Sequence, residues 1–256
     1  MDTLKNGVIH VYKPPGVTPL ELIKKMKQEN PYYEHITMGY AGRLDPMAEG
    51  VMLILTGEEN KKRKNYELLP KTYEMDIMFG ISTDTYDGMG LITSHTQKMP
   101  SDNTISRILA EFTGTFDQPY PPYSSPLVQG KPLYYWARER KLHTIQIPSK
   151  QVTISSLEVG KGTRINLNEI KKDITDRVKS IRGEFRQSEI IKQWDMLEGT
   201  EDYLCIPVKV TCTSGTYMRS LAYLAGEKAG TGAFAYHIRR TQVGPYTLEN
   251  ALHLPF

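Results

Sequence analysis

The stretch MGYAGRLDPMAEG, residues 38–50, holds a lone carboxylate, Asp45, between Gly42 and Gly50, with Arg43 shortly before it and Pro46 directly after. Asp followed by Pro is a common turn pair, so one reading is purely conformational. Another is reactive: glycines let a substrate approach the backbone, which would leave Asp45 on a cleft floor as nucleophile or base. A third sets Asp45 and Glu49 one turn apart on a helix as a two-carboxylate pair, although that spacing also describes a solvated pair. Spacing alone does not choose among them.

Two further stretches carry chemistry. SGTYMRSL, residues 214–221, puts Arg219 in the first turns of a helix, against the preference of the helix dipole. At the surface that needs no explanation; in the interior it requires a carboxylate such as Asp45. Between Tyr120 and Leu142, Tyr120, Tyr123, Tyr134, Tyr135 and Trp136 interleave with Lys131, Arg138, Arg140 and Lys141. Cations suit phosphates and aromatic faces suit splayed bases, but a solvated helix with an aromatic core face fits equally well. The basic run KKRK at 61–64 reads as a solvent-facing segment.

The elements that must position these residues are legible in outline. GVIHVYK reads as a strand, followed by a Pro-Pro-Gly turn and a helix in which Thr18 caps, Pro19 takes the first position and Glu21 completes a capping box. GVMLILT and TYEMDIMF have strand length and character, TISRILAEF carries a helical apolar face, and residues 166–181 carry another. Strands near KQVTISSLEV and YLCIPVKVTC precede a final helix after SGT. Strands and helices mix without regular β-α-β alternation, so the class is α+β.

Several chemistries are excluded by what is missing: a phosphate-binding Gly-rich loop, a dinucleotide fingerprint, H-E-x-x-H and a G-x-S-x-G elbow. The six histidines stand alone and Cys205 and Cys212 form no C-x-x-C pair, so neither a metal nor a cofactor is expected. Lying seven apart on one strand, the cysteines face opposite ways and cannot bridge each other. Reduced thiols without a signal peptide point to the cytoplasm. No apolar run approaches the roughly 18 residues that span a bilayer, so no membrane association is expected. At 256 residues and a formal net charge of +3, the chain permits a nucleic-acid partner without demanding one.

In order along the chain, GVIHVYKPPGVT, GYAGRLDPMAEGVMLILTGEENK, KTYEMDIMFGISTDTYDG, QPYPPYSSPLVQGKPLYYWARE and CTSGTYMRSLAYLAGEKAGTGAFAYHIRRTQVGPYTLENA resemble the TruB-like family of tRNA pseudouridine synthases. The resemblance implies an α+β fold with a large mixed, mainly antiparallel sheet, flanked by helices around a central catalytic cleft. It implies one catalytic domain over 1–256, with an RNA-gripping insertion at about 117–142, a family-branch insertion at about 160–202, and no C-terminal PUA domain. The reaction implied is conversion of a T-loop uridine of tRNA to pseudouridine, of the tRNA pseudouridine(55) synthase type. Asp45 would be the nucleophile, Tyr73 would stack on the base and move a proton, and Arg219 would pair with Asp45. Tyr40, Arg43, Asp87, Tyr217 and Ile238 are expected at the substrate, and Lys131, Arg138, Arg140 and Arg240 at the RNA. The expected partner is the T-arm of tRNA, and the expected state is a monomer.

Three departures stand out. Tyr40 occupies a position where relatives usually carry histidine, keeping a stacking role without an imidazole. Leu127 replaces a basic residue, and residues 160–202 run longer than the two strands they join require, either as structural filler or as an added RNA contact. Two alternatives remain beside the leading reading: a synthase with another RNA target, and a non-catalytic RNA-binding or RNA-chaperoning protein on the same fold. Retention of Asp45, Tyr73 and Arg219 together argues against the last.

Overall fold

The computed structural model describes residues 6–199 and 201–256; residues 1–5 and Thr200, which fall within the expected domain and its second insertion, lie outside the described residues. The chain opens with β1 (Gly7–Lys13), α1 (Pro19–Glu29), β2 (Met38–Ala41), β3 (Glu49–Thr56), α2 (Arg63–Leu68) and β4 (Lys71–Phe79). A middle portion follows: β5 (Ile81–Thr83), β6 (Ile92–His95), α3 (Asp102–Ala110), β7 (Gly114–Pro119), β8 (Leu127–Val128), β9 (Lys131–Pro132) and α4 (Leu133–Arg138). The remainder comprises β10 (Ser149–Val159), β11 (Thr163–Asn166), α5 (Leu167–Ser180), α6 (Gln187–Met196), β12 (Asp202–Cys212), α7 (Met218–Ala229), β13 (Ala233–Val243) and β14 (Tyr246–Thr247).

Local chemistry accounts for the helix starts. At α1 the Thr18 hydroxyl accepts from the Glu21 amide (3.2 Å) and the Glu21 carboxylate accepts from the Thr18 amide (2.8 Å), which closes the capping box. Ser101 caps α3, accepting from the Thr104 amide at 3.2 Å. Each helix then buries one stripe: Leu22, Ile23 and Met26 in α1, Ile105 and Leu109 in α3, and Leu167, Ile170, Ile174 and Val178 in α5.

Ten strands form one sheet in the order β1-β3-β13-β4-β12-β10-β7, with β2 beside β3, β11 beside β12 and β14 beside β13. Every pairing in it is antiparallel except β3 with β13. The architecture is therefore the α+β type read from the sequence, a large mixed sheet flanked by helices. One face packs on α3 and α7 through Leu109, Leu221, Ala225, Ile77 and Val210; the other packs on α5 and α6 through Ile170, Ile174, Trp194 and Phe234. Cys205 joins the second cluster and Cys212 the first, as their odd separation on β12 requires. Within residues 160–202, α5 and α6 supply apolar cover for the part of this face formed by β4, β12 and β13.

A polar clamp fastens α5 to that face. His237 of β13 lies 3.2 Å from Asp76 of β4 through Nδ1 and 3.5 Å from Asp173 of α5 through Nε2, and Asp173 also pairs with Arg177. Burial alone would lower the His237 pKa, yet its bonds to Asp173 and Asp76 outweigh that and raise it. A raised folded-state value means that the clamp stabilises fully below the unfolded pKa of about 6.5 and loses its contribution as pH rises through the folded one. The melting temperature of His237→Gln is accordingly expected to fall below that of the unsubstituted chain at about pH 5.5 and to converge with it by about pH 9. A gap of constant size across thermal scans at those two pH values would mean that the imidazolium does not hold α5 in place.

Candidate active site

Asp45 sits in a turn between β2 and β3, where the Ala48 amide donates to the Asp45 carbonyl at 3.1 Å. The turn is tied down from below by Lys13. Its ammonium is wholly buried and donates to the carbonyls of Pro14 (2.9 Å), Val17 (2.8 Å) and Pro46 (3.3 Å), while the Gly16 amide donates to Pro46 at 2.9 Å. Burial pushes the Lys13 ammonium down to about 8. The conformational and cleft readings of the sequence therefore coexist: Asp45 belongs to an Asp-Pro turn, and that turn is pinned to the Pro-Pro-Gly turn after β1.

The flanking glycines serve the chain's own strands. Gly50 has φ +118°, and a Cβ there would lie 2.1 Å from the carbonyl oxygen of Arg240, so glycine is what allows β3 and β13 to meet. Arg240 braces the Asp45 turn. Only 1% exposed, it donates from Nε to Val51 O (2.8 Å), from Nη1 to Arg43 O (3.2 Å) and from Nη2 to Gly42 O (3.0 Å). Its guanidinium is spent largely on backbone carbonyls around that turn, which it holds from a position that also borders the cleft described below. The Asp45–Glu49 helix pair is corrected: Glu49 opens β3, accepts from the Tyr12 hydroxyl and lies 3.7 Å from Arg239 Nε.

Arg219, at the start of α7, grips Asp45 with both ends of its fork, Nε to Oδ2 at 2.7 Å and Nη2 to Oδ1 at 2.9 Å. Nη1 donates to Thr85 O (3.1 Å) and Nη2 also to Tyr123 O (3.3 Å). The arginine is 4% exposed, whereas the Asp45 side chain is 36% exposed. A second carboxylate, Asp87, lies 3.7 Å from Arg219 Nε, but it is nearly closed off and accepts from Thr85 Oγ1 (2.6 Å) and the Met89 amide (2.9 Å). Burial raises the Asp87 pKa against the pull of Arg219. Of the two carboxylates, Asp45 is the more open.

That face opens into a cleft of about 600 Å³ lined by Arg43, Asp45, Tyr73, Tyr217, Arg219, Ile238 and Arg240, seven of the site residues expected from the sequence. Tyr73, on β4 opposite Val210 and Arg240, is 8% exposed, and burial raises its pKa, so its phenol is neutral and able to donate. Tyr217 is fixed by Gln118, which accepts from its amide at 2.8 Å and donates to its carbonyl at 3.1 Å. Arg43 stands at the mouth, bonded to Ser125 Oγ at 3.2 Å. Asp87 is not in this cleft but borders an adjoining chamber of about 200 Å³ that shares Asp45, Tyr123 and Arg219. Tyr40 lies outside both, packed against the cluster around α1 with the Arg63 guanidinium 5.3 Å over its ring.

The cations expected at RNA, apart from Arg240, are exposed on the β8–β9 hairpin, α4 and the residues after it. Lys131 lies 4.1 Å over the Tyr135 ring, Arg138 lies 5.4 Å over Tyr134, and Arg140 stands 3.9 Å from Glu189. In the KKRK run, Lys61 and Lys62 pair with Glu58 and Glu59, but Arg63 reaches the cleft while bonded to Glu67 at 2.7 Å. Sequence reading missed Arg63 and Lys13. For Lys13 a signal existed, since alternation along β1 puts it on the same side as the buried Val11. Among the described residues, no group of three or more His, Cys, Asp or Glu side chains is placed to hold a metal ion. Arg240→Gln is expected to lose about 2–4 kcal/mol of stability by urea denaturation, since buried carbonyls would lose a charged donor; unchanged stability would return Arg240 to a surface role.

A family model described as TruB family pseudouridylate synthase (N terminal domain) matches residues 30–180. The chain is 28% identical over 252 residues to tRNA pseudouridine synthase B of Thermotoga maritima, covering 98% of this chain and 67% of that protein. It is 31% identical over 253 residues to tRNA pseudouridine synthase B of Corynebacterium diphtheriae, covering 97% and 71%. Among solved structures, the crystal structure of a Cbf5-Nop10-Gar1 complex is similar with a TM-score of 0.60 at 20% identity, over 99% of this chain and 54% of that one. The structure of an H/ACA RNP bound to a substrate RNA containing 2'-deoxyuridine gives 0.58 at 18%, over 97% and 51%. The chain spans about half the length of these structural neighbours, and at such identities the likeness concerns the fold.

Proposed function

The chain belongs to the TruB family of pseudouridylate synthases, and we propose that it converts a uridine in the T-loop of tRNA to pseudouridine, with Asp45 as the nucleophile. The observation that carries this reading is the bidentate grip of a buried Arg219 on a carboxylate that keeps one open face in a cleft. RNA binding alone requires no such arrangement. The grip aims Asp45 and ties its position to the start of α7.

A uridine must leave the stack to react, and its lost stacking must be replaced. Tyr73 and Tyr217 supply aromatic surface on the cleft wall, and Ile238 supplies apolar surface. The glycosidic bond from C1′ to N1 breaks, the base turns, C5 bonds to C1′, and the proton displaced from C5 leaves N1 protonated, so the product is an isomer of the substrate. Asp45 assists the departure of the base. Tyr73, neutral through burial, carries a proton by donating and accepting in turn, without being a strong base. Lys131, Arg138 and Arg140 project from the arm over 117–142, where they would hold phosphates of the T-arm, and the whole works as one catalytic domain.

Incubation with unmodified tRNA, followed by carbodiimide-based primer extension, should reveal one new pseudouridine in the T-loop. Asp45→Asn should lower the rate by at least about a thousandfold while RNA affinity changes by less than about threefold, because phosphate contacts lie elsewhere. No pseudouridine from the unsubstituted chain sinks the enzymatic reading, whereas a stop outside the T-loop sinks only the target. Arg138→Ala should weaken binding and reduce the slope of log affinity against log salt by about one; an unaltered slope, measured by filter binding, would remove the arm from the RNA interface.

A further inference from the structure

The segment between α5 and α6, residues 181–186, lies just beyond the span matched by the family model, yet Glu184, Phe185 and Arg186 wall the small chamber next to Asp45. Arg186 is the member with defined partners. Its Nη1 and Nη2 hold both oxygens of Asp84 at 2.8 and 3.1 Å, and its guanidinium lies 4.7 Å over the ring of Tyr123. The Tyr123 hydroxyl completes the triangle by reaching Asp84 Oδ2 at 3.4 Å.

These contacts coincide with the back support of Arg219. Apart from Asp45, the groups that accept from the Arg219 fork are two backbone carbonyls, Thr85 O and Tyr123 O. Thr85 follows Asp84 directly, and Tyr123 is the residue on which Arg186 lies. One guanidinium therefore holds together the two strands of backbone that aim the other. The segment is built for this: Arg186 adopts φ +62°, in the left-handed region, and the Gln187 side chain ties the loop by accepting from the Phe185 amide at 2.8 Å and donating to Gly183 O. Behind it, α6 is anchored by the wholly buried Ile190 and Trp194. With both terminal nitrogens committed to Asp84, Arg186 has little left to offer a phosphate.

We propose that Arg186 is a positioning residue: through Asp84 and Tyr123 it fixes the Thr85 and Tyr123 carbonyls that orient Arg219, and so sets the aim of Asp45. The inference rests on the pseudouridine-forming reading of the cleft. In single-turnover assays with excess protein, Arg186→Gln should slow pseudouridine formation by at least about tenfold while RNA affinity stays within about threefold. Arg186→Lys should restore only a small part of the rate, because an ammonium supplies neither the fork nor the stacked plane. Asp84→Asn should be similarly slow, and the double variant no slower than the worse single one. Leu197→Ala, at the far end of α6, serves as the stability control: it should lower the melting temperature without slowing the folded protein.

A rate unchanged by Arg186→Gln overturns the proposal, as do losses that multiply in the double variant. Affinity falling in step with rate overturns it as well and makes Arg186 a phosphate contact. A readout independent of activity is solvent exchange of the Arg219 Nη–H protons by nitrogen-resolved NMR, which should accelerate by about tenfold in Arg186→Gln as the Thr85 and Tyr123 carbonyls that accept from them loosen. If the unsubstituted chain forms no pseudouridine, the functional reading fails alone, and an unchanged Nη–H exchange is then what rejects the positioning role.

Discussion

A guanidinium that is almost completely buried must find an anion and a full set of acceptors, or the fold that buries it loses several kcal/mol. Arg219 meets that demand with two carboxylates and two backbone carbonyls, drawn from the Asp45 turn, the 84–89 turn and the start of the arm. Those three loops come from distant parts of the chain. Besides pairwise contacts such as Tyr123 with Asp84 and Arg43 with Ser125, the charge of Arg219 reaches all three, so the floor of the cleft is an electrostatic assembly laid on a hydrophobic scaffold.

The scaffold divides the labour between its faces. On one, α7 packs through small residues such as Ala222 and Ala225, which bring its N-terminal turn, and with it Arg219, close to the sheet. On the other, α5 and α6 cover the strands with Ile170, Ile174 and Trp194, and the connection between these helices bends back toward the cleft. The Asp45 turn hangs from β2 and β3 and is held from both sides by internal cations, Lys13 and Arg240, whose donors are spent on carbonyls. Together the two determine where the turn lies.

Much of this was legible in the sequence because it follows local rules. The capping box at Thr18, the apolar stripes of α3 and α5 and the alternation along β12 each depend on neighbours a few positions away. The Asp45–Arg219 pair could be posed as a question from the awkward position of an arginine at a helix start, and the ordered set of motifs supplied an expected answer. What sequence could not convey is which long-range partner consumes a polar group. Arg240 looks like a surface cation in a basic pair until β13 crosses β3 and turns it inward. Tyr40 looks like a cleft residue from its place before Asp45, but β2 directs its ring toward α1. The 160–202 segment has helical periodicity that says nothing about which face of a sheet it will cover.

The union of β3 with β13 is the sheet's one parallel pairing, and it joins positions as far apart as Val51 and Arg240, 189 residues along the chain. Closing so long a loop is entropically slow, and contacts of this kind tend to form late. Until β13 arrives, the Asp45 turn lacks the guanidinium that holds its backbone, even though its own residues and those of β1 are already in place. Competence is thereby coupled to completion: a chain whose early strands have paired but whose β13 has not docked has a sheet without a working cleft, so partly folded molecules cannot engage substrate in a productive pose.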